Sequence, residues 1–291
     1  MEFNLCDINT VKMLLAKYKF SFSKDLGQNF LIDDSVCPEM ARRLNADDKT
    51  GVLEIGPGIG VLTKELCKTA GKVVAVELDK RLYPILAETL GDYDNFELIE
   101  GDVMKLNLAE IISQKFADCD SVKVCANLPY YITSPIVMML LESNLPIDEI
   151  EVMVQREAAQ RLCAEIGTRD AGAVTVAVNY YGEAEILFDV GKESFMPSPK
   201  VDSAVIKITL RKQKKFDIDN EKAFFTMIKG AFSQRRKTLV NSLSSTAGIS
   251  KDKITSALGE LGISPTVRAE KMGMEDFVSL YGLLYLSLIH I

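Results

Sequence analysis

The sequence predicts an α/β protein built on a mostly parallel sheet with an antiparallel hairpin at one edge, followed by a small C-terminal helical domain. Three observations carry that expectation. Five short apolar runs alternate with helix-like segments between residues 36 and 165, two further extended runs flank a proline-containing segment, and helical patterning alone follows residue 211.

The five runs are Val52-Leu-Glu-Ile55, Val73-Val-Ala-Val-Glu77, Phe96-Glu-Leu-Ile-Glu100, Val122-Lys-Val-Cys-Ala126 and Ile150-Glu-Val-Met-Val154. Each is short and rich in β-branched residues, and the gaps between them are long enough for the crossovers that parallel strands require. A helix-like stretch at 173–181 precedes two more candidate strands, 184–190 and 201–210, separated by Phe195-Met-Pro-Ser-Pro199. In the second, Ala204, Ile206, Ile208 and Leu210 face one way while Val205, Lys207 and Thr209 face the other, the alternation of a strand. The pair reads as the hairpin. Arg211-Lys-Gln-Lys-Lys215 reads as a linker, and helical patterns follow at 221–244, 251–261 and 274–284. Two domains are therefore expected, 1–210 and 211–285. Leu286-Ser-Leu-Ile-His-Ile291 prolongs the last pattern with apolar residues whose codons can be read as a sequencing-adapter end, so 286–291 are expected to be a non-native tail.

Hydrophobic residues at 47% and charged residues at 26% are the balance of a folded globular protein. No apolar run approaches the roughly 20 residues of a membrane span, and the start, with Glu2 and Asp7, lacks a leader's basic-then-apolar order. A cytoplasmic, monomeric protein without a membrane partner is expected. Six cysteines lack any C-x-x-C spacing and the one histidine is His290, so no metal site is expected and the thiols should be reduced. The net charge of −7 conceals a division: residues 211–291 hold 13 Lys and Arg against 8 Asp and Glu, and residues 1–210 hold 21 against 33. Because salt limits each charge to a range of about 8 Å, the acidic total does not exclude a nucleic-acid partner. Arg235, Arg236 and Lys237, in the basic end, are candidate phosphate contacts.

The chemistry gathers at the carboxyl ends of the predicted strands. The first runs into Glu54-Ile-Gly-Pro-Gly-Ile-Gly60, where Gly56 and Gly58 let a ligand approach the backbone at a helix start. Its spacing differs from the G-x-G-x-x-G of dinucleotide enzymes, position 61 being Val, and favours S-adenosylmethionine. Glu77 closes the second strand, about twenty residues on, where a carboxylate can reach ribose hydroxyls; Asp102 follows the third and can accept from an adenine amine. Asn127-Leu-Pro-Tyr130 ends the fourth. An exocyclic adenine amine is a poor nucleophile, its lone pair being delocalised, until acceptors draw it toward tetrahedral geometry. The Asn127 side-chain oxygen and the Leu128 carbonyl are candidate acceptors, Pro129 adds no competing donor, and Tyr130 can stack on the base.

These residues make the chain resemble the dimethyladenosine transferases of small-subunit ribosomal RNA over nearly its whole length. The resemblance runs from Leu26-Gly-Gln-Asn-Phe-Leu31 through the glycine loop, Asn127 to Tyr130 and Phe195-Met-Pro-Ser-Pro-Lys-Val-Asp-Ser203 to Ala231-Phe-Ser-Gln-Arg-Arg-Lys-Thr238 and Arg268-Ala-Glu270. Ala126 stands where many members have Gly. The resemblance implies a Rossmann-like class I methyltransferase sheet with S-adenosylmethionine as cofactor, and an RNA-binding helical domain. It further implies dimethylation of two adjacent adenines in a 3′-terminal hairpin of the small-subunit RNA, with a role in ribosome biogenesis. Asn29 and Leu31 would join Glu54, Gly56, Gly58, Glu77, Asp102 and Asn127 around the cofactor, with Tyr130 and Phe195 flanking a flipped adenine. Two alternatives stay open on the residues alone: a macrolide-resistance type enzyme acting on large-subunit RNA, and a non-catalytic assembly factor on the same fold.

Overall fold

The computed structural model describes residues 3–23 and 26–285; the expected tail, 286–291, lies outside the described residues. The described residues pack as two units, one lying within 1–159 and 185–210 and one within 160–184 and 211–285.

Among the described residues nine strands form in chain order: β1 Phe30–Leu31, β2 Thr50–Ile55, β3 Lys72–Glu77, β4 Phe96–Glu100, β5 Ser121–Asn127, β6 Glu149–Gln155, β7 Gly182–Val190, β8 Phe195–Met196 and β9 Ser203–Leu210. Seven make one sheet in the order β4-β3-β2-β5-β6-β9-β7. The pairs from β4 to β6 are all parallel, and β9 runs antiparallel to β6 with Glu149 opposite Thr209 and Gln155 opposite Ser203. Every residue of β2 is buried, which is why Val52–Ile55 reads as an apolar run broken only by Glu54: a parallel strand covered on both faces has no solvent side. Helices α1 Ile8–Lys17 and α2 Val36–Leu44 precede the sheet's first strand, and the crossover helices include α3 Val61–Cys67, α4 Tyr83–Leu90, α5 Leu108–Lys115 and α6 Thr133–Glu142. Asp7 caps α1 by accepting from the Thr10 N–H at 2.8 Å, and Asn107 caps α5. On the sheet face beneath α2, Val52, Cys125, Met153 and Val205 share one apolar cluster with Met40 and Leu44. The same face carries Glu151, fully buried, opposite Cys125 on β5 and Lys207 on β9, with neither carboxyl oxygen hydrogen-bonded among the described residues.

Chain order leaves β2 flanked by β3 on one side and β5 on the other. That reversal opens a crevice beyond the carboxyl ends of β2 and β5, where open α/β sheets bind ligands. Two-residue strands β1 and β8 pair antiparallel, Leu31 opposite Phe195 and Phe30 opposite Met196. No periodicity announces strands this short, and the sequence reading missed both.

The second unit holds α8 Ala173–Tyr181, α9 Glu221–Phe232, α10 Leu239–Ala247, α11 Lys251–Glu260 and α12 Met274–Tyr285, with α7 Arg156–Leu162 running into it. Two expectations are corrected here. Residues 160–184, expected in the first domain, belong to the helical unit because Tyr180 and Tyr181 at the end of α8 pack on Phe224 and Phe225 of α9, with Tyr181 stacked on Phe225 at 5.3 Å. The Glu221 carboxylate, in the first turn of α9, accepts from both tyrosyl hydroxyls, at 2.7 and 3.0 Å. Second, the helical pattern at 221–244 is two helices: the chain turns at 233–238, and Thr238 caps α10 by accepting from the Asn241 N–H. Among the described residues no helix is long and apolar enough to cross a membrane.

Candidate active site

The crevice at the strand reversal is a pocket lined by all eleven residues that the sequence pointed to for cofactor and base: Asn29, Leu31, Glu54, Gly56, Gly58, Glu77, Asp102, Asn127, Leu128, Tyr130 and Phe195. Its floor is the turn after β2. Gly56 has φ +70° and open space where a Cβ would stand, so a ligand can lie directly on the backbone; Gly58 has φ +61° and faces the Phe30 ring.

Glu77 closes β3 against this turn. Its Oε1 accepts from the Asp79 N–H at 2.7 Å and its Oε2 from the Gly58 N–H at 3.4 Å. Burial pushes its carboxyl up to about 7, those backbone bonds opposing the shift. Glu54 is 1% exposed, its Oε2 has no hydrogen-bond partner among the described residues, and burial pushes it up to about 8. Asp102, after β4, is partly occupied by its own turn: Oδ1 accepts from the Met104 N–H at 3.0 Å and Oδ2 lies 3.5 Å from Lys105 Nζ. An open glycine floor beside a buried carboxylate with lone pairs to spare fits a nucleoside cofactor whose hydroxyls donate.

The turn after β5 supplies the opposite wall. Leu128 is anchored by its N–H to the Met153 carbonyl at 3.1 Å. Its own carbonyl and the Asn127 side chain take part in no hydrogen bond among the described residues, which leaves both as acceptors. Tyr130 is held by a 2.7 Å hydrogen bond between its hydroxyl and Ser203 Oγ, and burial raises its phenol. Phe195 is 3% exposed and is fixed by its pairing with Leu31. Asn29 turns its amide back on the Gly27 carbonyl at 3.1 Å.

Sequence reasoning missed a polar hub on the rim. Asp79, 6% exposed, accepts from Gln28 Nε2 at 2.7 Å and from both Nε and Nη2 of Arg81, at 2.8 and 2.6 Å. Arg81 also donates to the Ser21 carbonyl and covers the Phe20 ring. Long-range polar pairs of this kind leave no mark on hydropathy. Leu78, a large apolar side chain 48% exposed in the pocket wall, was also not singled out.

Arg235, Arg236 and Lys237 lie elsewhere, all exposed, in the turn between α9 and α10 rather than on a helix as the patterning suggested. Arg235 donates to the Arg169 carbonyl within the same unit. Among the described residues no group of His, Cys, Asp or Glu is arranged to hold a metal ion.

A parallel sheet in this order, with a glycine turn after its first long strand and acidic residues closing the next, defines a class I methyltransferase fold that uses S-adenosylmethionine. Solved structures agree on the architecture. The 23S rRNA methyltransferase ErmE superposes with a TM-score of 0.63 at 26% identity over 88% of this chain and 99% of that one. A dimethyladenosine transferase from Plasmodium falciparum superposes with a TM-score of 0.69 at 24% identity over 86% of this chain and 95% of that one. The family model for ribosomal RNA adenine dimethylase matches residues 19–285. Proteins named ribosomal RNA small subunit methyltransferase A are 47% identical in Geobacillus thermodenitrificans, over 92% of this chain and 93% of the relative. The counterpart in Clostridioides difficile is 45% identical over the same shares. The chain belongs to the ribosomal RNA adenine dimethylase family.

Proposed function

We propose that this protein dimethylates the exocyclic amines of two adjacent adenines in a 3′-terminal hairpin of small-subunit ribosomal RNA, using S-adenosylmethionine, and so serves ribosome biogenesis. The observation that carries this reading is the pair of unpartnered acceptors, the Asn127 side chain and the Leu128 carbonyl, beside the glycine floor of a chain in this family. The small-subunit assignment rests on relatives at 45–47% identity named for that subunit, against 26% for the large-subunit enzyme ErmE.

S-Adenosylmethionine, when bound, supplies an electrophilic methyl group. Gly56 and Gly58 would let it lie on the backbone, Glu77 would receive ribose hydroxyls, Asp102 would receive the adenine amine, and Asn29, Leu31 and Glu54, which line the same pocket, would complete the enclosure. In the first transfer Asn127 Oδ1 and the Leu128 carbonyl would each accept one of the two amine hydrogens of the target adenine, and in the second one of them would accept the single hydrogen that remains, localising the nitrogen lone pair for attack each time. Pro129 offers no N–H to compete for those acceptors. Tyr130 and Phe195 hold the base by stacking, offsetting the few kcal/mol that extruding it costs. No residue of shifted pKa has to take the amine proton, which leaves to water after transfer, so catalysis is positioning and electrostatics. The exposed Arg235, Arg236 and Lys237 contact RNA phosphates, and the partner is the small ribosomal subunit, engaged by a cytoplasmic monomer.

The test is to incubate the protein with small subunits from cells lacking this modification, supply methyl-labelled cofactor and map the label. Two methyl groups on each of two adjacent adenines are expected; label on large subunits only would overturn the reading.

A further inference from the structure

Consecutive tyrosines in the turn after β5 have opposite surroundings. Tyr130 is part-buried in the pocket with its hydroxyl on Ser203 Oγ at 2.7 Å. Tyr131 lines the same pocket yet is 58% exposed, more than any other large apolar or aromatic side chain among the described residues. Its ring is nonetheless restrained. Gly27, at φ +59°, faces it so closely that an added Cβ would stand 3.3 Å from Cδ1 and 3.7 Å from the Pro129 Cβ. An aromatic ring that is solvent-exposed on one side and backed by glycine on the other is a preformed stacking surface, at low entropic cost to whatever lies on it.

Base flipping creates a need for such a surface. An adenine drawn in beside Tyr130 takes one π-face of contact away from each neighbour in its strand, and the neighbour at the mouth is left with an unstacked face in water. We propose that Tyr131 stacks on the nucleotide adjoining the flipped adenine, replacing the stacking that the adenine gave up, and so selects for a base at that position. This rests on the RNA-methylating reading above and adds a residue to it: Tyr130 holds the target, Tyr131 holds the neighbour. Because every base has a π-face, the selection is for the presence of a base rather than its identity.

The test is a cycle on reconstituted small subunits. Tyr131→Ala is measured against subunits carrying an abasic site at the nucleotide on either side of the target adenine. Single-turnover kcat/KM is expected to fall roughly 5- to 100-fold for Tyr131→Ala, the range that removal of one base-aromatic stack brings. It should fall comparably for the parent enzyme on one of the two abasic substrates, with no further decrease when both changes are combined. Tyr131→Phe, which keeps the ring, should retain the stack, whereas Tyr131→Leu, apolar but not aromatic, should not. Melting temperature and cofactor affinity of Tyr131→Ala should match the parent, separating impaired stacking from impaired folding. Additive decreases, or full activity in Tyr131→Ala, would overturn the assignment; a parent enzyme inactive on intact small subunits would instead overturn the functional reading beneath it.

Discussion

Gln28 Nε2 donates to Asp79 Oδ2 at 2.7 Å, and so ties the segment before β1 to the turn that follows Glu77. The Gln28 oxygen is simultaneously occupied by the Ser23 N–H at 2.9 Å, which fixes the orientation of the amide. Asp79 in turn gives its N–H to Glu77, so the pocket wall at Leu26–Leu31 and the Glu77 carboxylate share one support. Gln28→Ala is expected to weaken S-adenosylmethionine binding about tenfold, the size of one hydrogen bond to a charged group. Isothermal calorimetry checks this, and unchanged affinity would show that the wall stands without Gln28.

Glu77 is expected to make cofactor binding pH-dependent. Burial holds its carboxyl at about 7, and the ionised form, with both oxygens free to accept, binds a pair of ribose hydroxyls more tightly than the neutral acid. Raising the pH from 6 to 8 through that value should strengthen binding by about tenfold, with proton release on binding near pH 7. Glu77→Gln should bind more weakly and lose the slope. Calorimetry in buffers of different ionisation enthalpy measures the released proton, and a parent enzyme with flat affinity over this range would show that cofactor binding is not coupled to ionisation of Glu77.

Asn127→Ala should slow single-turnover methylation at least a hundredfold, about 3 kcal/mol, because it removes a hydrogen bond that strengthens as the amine becomes tetrahedral. RNA affinity should be nearly unchanged and cofactor affinity only modestly reduced. Tyr130→Phe should be mild, since the ring remains although the Ser203 bond is removed. A parental single-turnover rate in Asn127→Ala would refute the amine-polarising mechanism.

Much of this site could be read from the chain because its residues stand next to strand ends, and strands with both faces covered betray themselves as apolar runs. Glu77 and Asn127 were found that way. What stayed hidden depends on pairings between distant segments. The β1–β8 ladder is only two residues long, the Gln28–Asp79 pair spans polar residues with no pattern, and residues 160–184 join the helical unit through tyrosines whose partners lie some forty positions later. The break at 233–238 was obscured because helical spacing on both sides continues in phase through a polar turn.

Replacing Arg235, Arg236 and Lys237 with Gln should weaken small-subunit binding and flatten its dependence on log salt, by about 0.7 to 0.9 for each phosphate no longer neutralised. The three are exposed and only Arg235, through its hydrogen bond to the Arg169 carbonyl, holds a neighbouring segment, so folding should be little affected. Filter binding across a salt series reads the slope, and an unaltered slope would make this turn a solvated surface.

Glu151 should make stability fall with rising pH. Burial pushes its carboxyl up to about 8, with Glu149 reinforcing and Lys207, Lys123 and Arg43 opposing. The folded chain keeps the proton up to about pH 8, while the unfolded chain releases it near 4.5. Folding therefore takes up a proton in that window, so stability declines as pH rises through it and levels off above. Glu151→Gln, which cannot ionise, should melt about 4 °C or more above the parent at pH 9 and close to it at pH 4, below the unfolded value. Parallel melting curves at both pH values would show that the carboxyl is solvated.

The pairing of Leu31 with Phe195 also sets when the pocket can exist during synthesis. Chains emerge from the ribosome N-terminus first at about 5 to 20 residues per second, so Leu31 waits roughly ten to thirty seconds for its partner strand. Until then the glycine turn and Asn127 have been made but the wall that encloses them has not. A chain released before Phe195, by truncation or premature termination, would carry almost every catalytic residue and still lack a closed site, which makes cofactor capture a late event in the life of the nascent protein.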